Sequence, residues 1–273
     1  MVVDAHLHCS GKESAREVLC ALDDAGVDVA VLLAPFLNEP FALADRASLR
    51  RANEHLSSLV GAGGDGGGRL IGFAVVNPSH TEAANDLEDA IVRLHLRGLK
   101  LVPSNWYPFD DCAHKVYERA AQLNIPILFH SGIFIDGRSG RFCRPTFYEA
   151  VRDHPTLRVT LAHLGWPWCD EANAVGLIDL INGVAPDRSQ FRFDISFGPP
   201  PVYREEVLRK ALDVLGPELL QFGSDRFLPC SGAHIKSAIE EVSSLLEKLN
   251  VGAIARRRVM GGTAINWLAL SSL

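Results

Sequence analysis

Two kinds of hydrophobic pattern alternate along this chain. Short apolar runs, bounded by glycine, proline or asparagine, are separated by longer amphipathic stretches. Val27-Asp28-Val29-Ala30-Val31-Leu32-Leu33 reads as a buried strand, and so do 70–76, 98–102, 125–129, 157–162, 191–195 and 219–224. The first eight residues, ending in Asp4-Ala5-His6-Leu7-His8, supply another. Between the strands the pattern predicts helices. Ser10 and Glu13 form a capping box that opens a helix carrying Val18, Leu19 and Leu22 and stopping at Gly26. A helix over 41–59 follows, and then a flexible glycine-rich loop over 61–68. Ser79 with Glu82 is a second capping box, opening a helix to Leu96, and Thr146 with Glu149 is a third. Further helices are predicted over 111–123 and 171–183, from after the break at Pro199-Pro200-Pro201 to Leu215, and over 234–249 and 253–269. Eight strands alternating with helices are the pattern of a (β/α)8 barrel, a single α/β domain over 1–273 with an extra C-terminal helix. A doubly wound sheet alternates in the same way, but the first strand-to-helix turn has no Gly-x-Gly-x-x-Gly.

In a barrel, side chains at the C-terminal strand ends converge on one mouth. The sequence places His6 and His8 there from the first strand, Lys100 from the fourth, His130 from the fifth, His163 from the sixth and Asp225 from the eighth. Singly, each has a bland explanation: a hydrogen-bonded histidine, a surface lysine, an aspartate capping a turn. Together, at matching ends of several strands, they call for a common one. His6 and His8, two apart on a strand, project from one face and can grip one ion, with Asp4 behind them on the same face. His6, His8, His130 and Asp225 make a donor set that suits one divalent ion, zinc or else manganese. Such an ion lowers the pKa of bound water to about 7. Asp225 can handle that water's proton. His163 can orient the water or polarise a substrate oxygen, and Asp4 can support a ligand imidazole.

Asp4-Ala5-His6-Leu7-His8, Gly98-Leu99-Lys100-Leu101, Phe129-His130-Ser131-Gly132, Ala162-His163-Leu164-Gly165 and Phe222-Gly223-Ser224-Asp225 resemble, in order, the signatures of the amidohydrolase superfamily. More narrowly, they resemble the amidohydrolase-related branch that includes aminocarboxymuconate-semialdehyde decarboxylase. The resemblance implies a distorted barrel with one divalent metal. It assigns the ligand role to His6, His8, His130 and Asp225 and an activating role to His163. In binuclear relatives a carboxylated lysine bridges two metals and recruits the equivalent of His163. In this branch a Gly-x-Lys-Leu strand stands beside a single metal, so Lys100 is expected to be uncarboxylated. Two features depart from the family pattern. Arg226-Phe227-Leu228 separates Asp225 from Pro229, and Gly262-Thr263-Ala264 replaces the usual Gly-Asn-Ala.

Composition narrows the partners. The 273 residues are 47% hydrophobic and 22% charged, with a formal net charge of −6 and no basic block beyond Arg256-Arg257-Arg258. Nucleic acid and membranes are not expected partners. No leader or membrane span is visible. The six cysteines, with no Cys-x-x-Cys pair, suit reduced thiols in the cytoplasm. Cys9 alternates away from His8 and is expected to pack. His55, His80, His95, His114, His154 and His234 fall on the exterior. Trp106, Tyr107, Phe134, Arg138, Arg141, Trp166, Trp168 and Arg226 lie on loops beyond strand ends. Of these, Trp106, Trp166 and Arg226 are the substrate-binding candidates. The mixture suits a small carboxylic acid or its lactone or amide. Three functions follow: hydrolysis of an amide, lactone or ester; decarboxylation of an aromatic or muconate-type acid at the same metal; or a non-catalytic metal-containing binding protein. A homodimer is compatible with all three.

Overall fold

The computed structural model describes residues 1–37, 41–63, 68–134, 139–196 and 198–270. All strand pairings among them are parallel. In chain order the strands are β1 (Val3–His8), β2 (Val29–Leu33), β3 (Leu70–Val75), β4 (Gly98–Leu101), β5 (Ile127–Phe129), β6 (Val159–Leu161), β7 (Phe191–Asp194), β8 (Leu220–Gln221) and β9 (Arg226–Phe227). They lie side by side as β8-β7-β6-β5-β4-β3-β2-β1-β9. The eighth strand of the sequence pattern is thus split: β8 pairs with β7 and β9 with β1. Between the two segments the Ala5 amide donates to Phe222 O (3.1 Å) and the Asp225 amide to His6 O (2.8 Å), which closes the sheet into a distorted (β/α)8 barrel.

The outer layer is formed by α1 (Ala15–Ala25), α2 (Arg46–Ala62), α3 (Ala83–Val92), α4 (Asp111–Gln122), α5 (Cys169–Ile181), α6 (Pro201–Leu215) and α7 (Gly232–Lys248). A 3-10 segment, Pro145–Asp153, takes the helix position after β5. The capping boxes are corrected. The box that forms is Ser14 with Glu17, and α1 begins at Ala15. Glu13 instead accepts from the amides of Ser10 (3.0 Å) and Lys12 (3.2 Å), so its carboxylate is spent on the loop after β1. Ser79 turns back to Asn77 Oδ1 (2.9 Å), and α3 starts with no side-chain cap. Thr146 bonds Glu171 (3.1 Å), and the segment it was to cap is 3-10. Of the glycine-rich loop, 61–62 belong to α2 and 64–67 lie outside the described residues.

The predicted last helix is two short ones, α8 (Ala253–Arg257) and α9 (Thr263–Leu268), joined by a π turn. α9 carries Trp267 into a buried cluster with Val3, Val29, Ile71, Phe73 and Leu128. Its indole donates to Arg158 O, 3.2 Å away and just before β6, so the ring closes the N-terminal end of the barrel. The C-terminal end is left to the polar residues.

Candidate metal centre and active site

β1 does not keep simple alternation. Asp4 lies opposite Ala30 of β2, but Leu7 lies opposite Leu32 and His8 opposite Leu33. Three steps on β1 against two on β2 mean one extra residue, a β-bulge, a feature common beside active sites. Ala30 and Leu33 point to opposite faces of β2, so Asp4 and His8 do too. The expectation that Asp4 supports an imidazole from the same face is therefore corrected. Asp4 Oδ1 accepts the amides of His6 (3.1 Å) and Ser224 (2.9 Å), satisfying backbone at the bulge. Burial raises its pKa to about 6, against the bonds from Ser224 and His6.

The bulge leaves His6 and His8 together, with Nε2 atoms 3.1 Å apart. Asp225 Oδ1 lies 3.3 Å from His6 Nε2 and 3.1 Å from His8 Nε2. The three donor atoms form a nearly equilateral triangle. A tetrahedral ion with bonds of about 2.1 Å needs edges of about 3.4 Å, so the set is close to that size. Asp225 has φ of 53°, in the left-handed region that aspartate enters more readily than most residues. Gly223 lets the chain approach, since a Cβ there would sit 2.6 Å from His6 Cβ.

His130 follows β5, with its carbonyl held by the Tyr148 hydroxyl and its amide by Leu101 O (2.9 Å). Its Nε2 is buried and has no hydrogen-bond partner. An orphaned buried imidazole nitrogen on the same cavity floor as Asp225 and two further imidazoles suits a metal ligand. His163 follows β6 with φ of 60°; its ring stacks on His6 (5.3 Å) and meets His130 edge-on (5.2 Å). One ligand atom each of His6, His163 and Asp225 lie within 4.8 Å of one another. Lys100 of β4 places Nζ 3.3 Å from His6 Nε2. All the residues expected at the mouth thus meet there.

Electrostatics disfavour charge on His6, His8 and His130. Burial, and then Lys100, lowers the pKa of His6 to about 4. Burial also lowers those of His8 and His130. It brings Lys100 down to about 8, against the pull of Asp194 and Asp225. Burial works against the charge on Asp225, but its contacts with His6, His163 and His8 hold its carboxyl well below the usual range.

Two site residues escaped the sequence reading. Asp194, at the end of β7, places Oδ2 2.9 Å from His6 Nδ1 and Oδ1 2.9 Å from the His163 amide. Ser196 Oγ lies 2.8 Å from His163 Nδ1. The signal was the acidic end of Phe191-Arg192-Phe193-Asp194, read only as a strand.

A cavity of about 440 Å³ stands over this floor. His8, Lys100, His130, His163 and Asp225 line its base, Phe36, Phe134, Trp166 and Phe227 its walls, and Arg226 also faces it. Phe227 stacks on His8 at 4.5 Å and Phe134 on His130 at 4.0 Å. Trp106 does not line the cavity; it is 2% exposed and packs in the core between barrel and helices, so that candidate is corrected. Arg138 lies outside the described residues. Cys9 is buried in the helix-facing cluster, away from the site.

A family model described as amidohydrolase matches residues 3–270, nearly the whole chain. The chain belongs to the amidohydrolase family. The family is one of enzymes, and the strand-end constellation is its candidate active site. No curated protein sequence matches the chain. Among solved structures it is similar to 5-carboxyvanillate decarboxylase LigW of Sphingomonas paucimobilis, with a TM-score of 0.62, 21% identity and coverage of 93% of this chain and 83% of that one. It is also similar to a dihydroxybenzoic acid decarboxylase of Polaromonas sp. JS666 with bound manganese and the inhibitor 2-nitroresorcinol (0.65, 18%, 100% and 97%). A third is a probable 2-pyrone-4,6-dicarboxylic acid hydrolase of Acinetobacter baumannii with citric acid bound (0.61, 14%, 98% and 99%). At these identities the likeness is one of fold. Among the described residues, no helix is long and apolar enough to cross a membrane.

Proposed function

We propose that this amidohydrolase is a metal-dependent hydrolase of an amide, lactone or ester of a small carboxylic acid. The observation that carries the reading is the donor triangle of His6, His8 and Asp225 beside the unpartnered His130 Nε2, on the floor of an open cavity. His6, His8, His130 and Asp225 hold one divalent ion, zinc or manganese. That ion supplies Lewis acidity, acidifying water and polarising a carbonyl. The chain's residues do the rest. Asp225, on its free carboxylate oxygen, takes the proton of the attacking water and returns it to the leaving group. His163 presents an imidazole that orients the attacking water. Lys100, uncarboxylated, adds positive charge beneath the site. Phe36, Trp166 and Phe227 exclude water from a flat apolar body, and Arg226 meets its carboxylate. Six free thiols support a cytoplasmic setting.

A second reading, decarboxylation of an aromatic acid, is favoured by the aromatic walls and by the decarboxylases among the similar structures. Product analysis separates the two. Carbon dioxide from an aromatic acid, with no turnover of lactones, esters or amides, selects the second. The metal assignment has its own test. Metal analysis should find one ion per chain, lost in His130→Ala and kept in His163→Ala, while both variants lose turnover. A full metal content in His130→Ala overturns the ligand set.

A further inference from the structure

We infer that Ser196 is a positioning residue that, backed by Asp194, fixes the proton of neutral His163 on Nδ1 and so turns the lone pair of Nε2 toward the reacting centre. The argument is one of donors and acceptors. Asp194 is fully buried, and both its oxygens face nitrogen donors, Oδ1 the amides that follow β6 and β7 and Oδ2 the ring of His6, as those of an ionised carboxylate do. An ionised carboxylate only accepts. Its Oδ1 receives the amides of His163 (2.9 Å) and Ser196 (3.1 Å), and it lies in short contact with the Ser196 hydroxyl. A serine hydroxyl has one proton to give. Given to His163, that proton would leave oxygen lone pairs of Ser196 and Asp194 facing each other. It goes to Asp194. Ser196 Oγ can then only accept, so the 2.8 Å contact with His163 Nδ1 is an N–H donated by the imidazole. The neutral ring carries its proton on Nδ1 and none on Nε2.

The same carboxylate fixes a second ring from its other oxygen. Asp194 Oδ2 accepts from His6 Nδ1 at 2.9 Å, which frees His6 Nε2 for the donor triangle. One aspartate therefore sets the tautomers of two imidazoles from different strands, directly for His6 and through a serine for His163. Close packing fixes the geometry. A Cβ at Gly198 would stand 2.7 Å from that of His163, and the His163 backbone is held in the left-handed region that L-residues rarely adopt. Neutral imidazole free in water prefers the opposite tautomer, with its proton on Nε2, so the arrangement is imposed.

The use made of that lone pair rests on the proposed function; the tautomer does not. The test is the 15N spectrum of the histidine side chains, recorded on the metal-free and the metal-loaded protein at pH 7.5. Wild type should show His163 protonated on Nδ1 only. Ser196→Ala should move the proton wholly or partly to Nε2. Turnover should drop about 10–100-fold, as is usual when the partner of a site histidine is removed, with KM and metal content unchanged. Ser196→Thr, which keeps the hydroxyl, should restore both the spectrum and kcat. A wild-type His163 protonated on Nε2, or a tautomer indifferent to Ser196→Ala, overturns the inference whether or not a substrate has been found. A correct tautomer with no loss of kcat in Ser196→Ala overturns the positioning role and leaves the metal site standing.

Discussion

The two ends of the barrel interior are built from the same strands and differ in almost everything else. At the lower end Val3, Val29, Ile71, Phe73 and Leu128 close around Trp267 with no charged partner in the cluster. At the upper end His6, His8, Lys100, His163 and Asp194 are buried against one another, with Asp225 partly exposed beside them. β1 serves both, giving Val3 to the bottom and His6 and His8 to the top. The lower end lowers the free energy of folding through apolar burial at about 25 cal/mol per Å². The upper end raises it, because each buried polar group must recover in the protein what it had in water. The contrast teaches that chemistry is confined to one end because the other supplies the stability that the first consumes.

The sharpest way to test that division is to damage the lower end alone. Trp267→Ala removes a side chain that is 1% exposed and lies tilted against Phe73, with ring centroids 5.3 Å apart. Loss of about 3–5 kcal/mol is expected, as for other buried tryptophans. Urea titration measures it. Metal bound per folded molecule should not change, because Trp267 touches none of the donors. A loss of metal from the folded fraction would show that the two ends are coupled.

This division was half legible in the sequence. Strand–helix alternation and apolar runs gave the barrel, because period and burial are local properties of the chain. His6, His8, His130, His163 and Asp225 were legible because strand ends in a barrel must converge. The bulge was not: it appears only when β1 is laid against β2, and it moved Asp4 from the imidazole face to the backbone. Asp194 was hidden for the converse reason. As a lone acid ending Phe191-Arg192-Phe193 it looks like a strand boundary, and its meaning comes from two rings supplied by distant segments. Trp106 was misplaced because an aromatic residue on a loop past a strand reads the same whether it faces the cavity or folds under it. The split of the eighth strand followed the left-handed turn at Asp225, which no local propensity announces.

Acid should act on the upper end selectively. In the folded metal-free protein His6 titrates at about 4, against 6.5 when unfolded. Between those values the unfolded chain binds a proton that the folded one refuses, so stability is complete above 6.5 and lost as pH falls toward 4. The loss from His6 alone is on the order of 3 kcal/mol. His8 and His130, lowered by burial, act in the same sense. Asp4 acts in the opposite one. Its folded pKa of about 6 lies above the ordinary 3.8 of an aspartate, so the fold gains protons, and stability, as pH falls through that window. Asp194 and Asp225, held low, add their loss only below the ordinary carboxylate range. Asp4→Asn should therefore steepen the acid loss between pH 6 and 4 by about 3 kcal/mol. Trp267→Ala should lower the whole stability curve without changing its shape. Denaturant titrations across that range decide it, and equal slopes for Asp4→Asn and wild type would contradict the account.

The smallest expected change separates recognition from both chemistry and stability. Arg226 sits on β9 next to Asp225, paired in register with Leu7. Among the described residues its Nε is buried without a hydrogen-bond partner, and its Nη2 makes a 3.4 Å contact with Ser237. A guanidinium so placed can meet a substrate carboxylate with a charged hydrogen bond, worth about 1.5–3 kcal/mol. Arg226→Gln should then raise KM for an acidic substrate roughly 10–100-fold, with kcat held within a few-fold. Stability should move by no more than about 0.5 kcal/mol, since the side chain supports neither end of the barrel. A neutral analogue lacking the carboxylate provides the control. Wild type should bind it about as poorly as the variant binds the acid, and the variant should not distinguish the two. A KM penalty of equal size for acid and neutral analogue would mean that Arg226 shapes the loop after Asp225 and does not read charge. The cation at the mouth would then have to come from Lys100 or the metal itself.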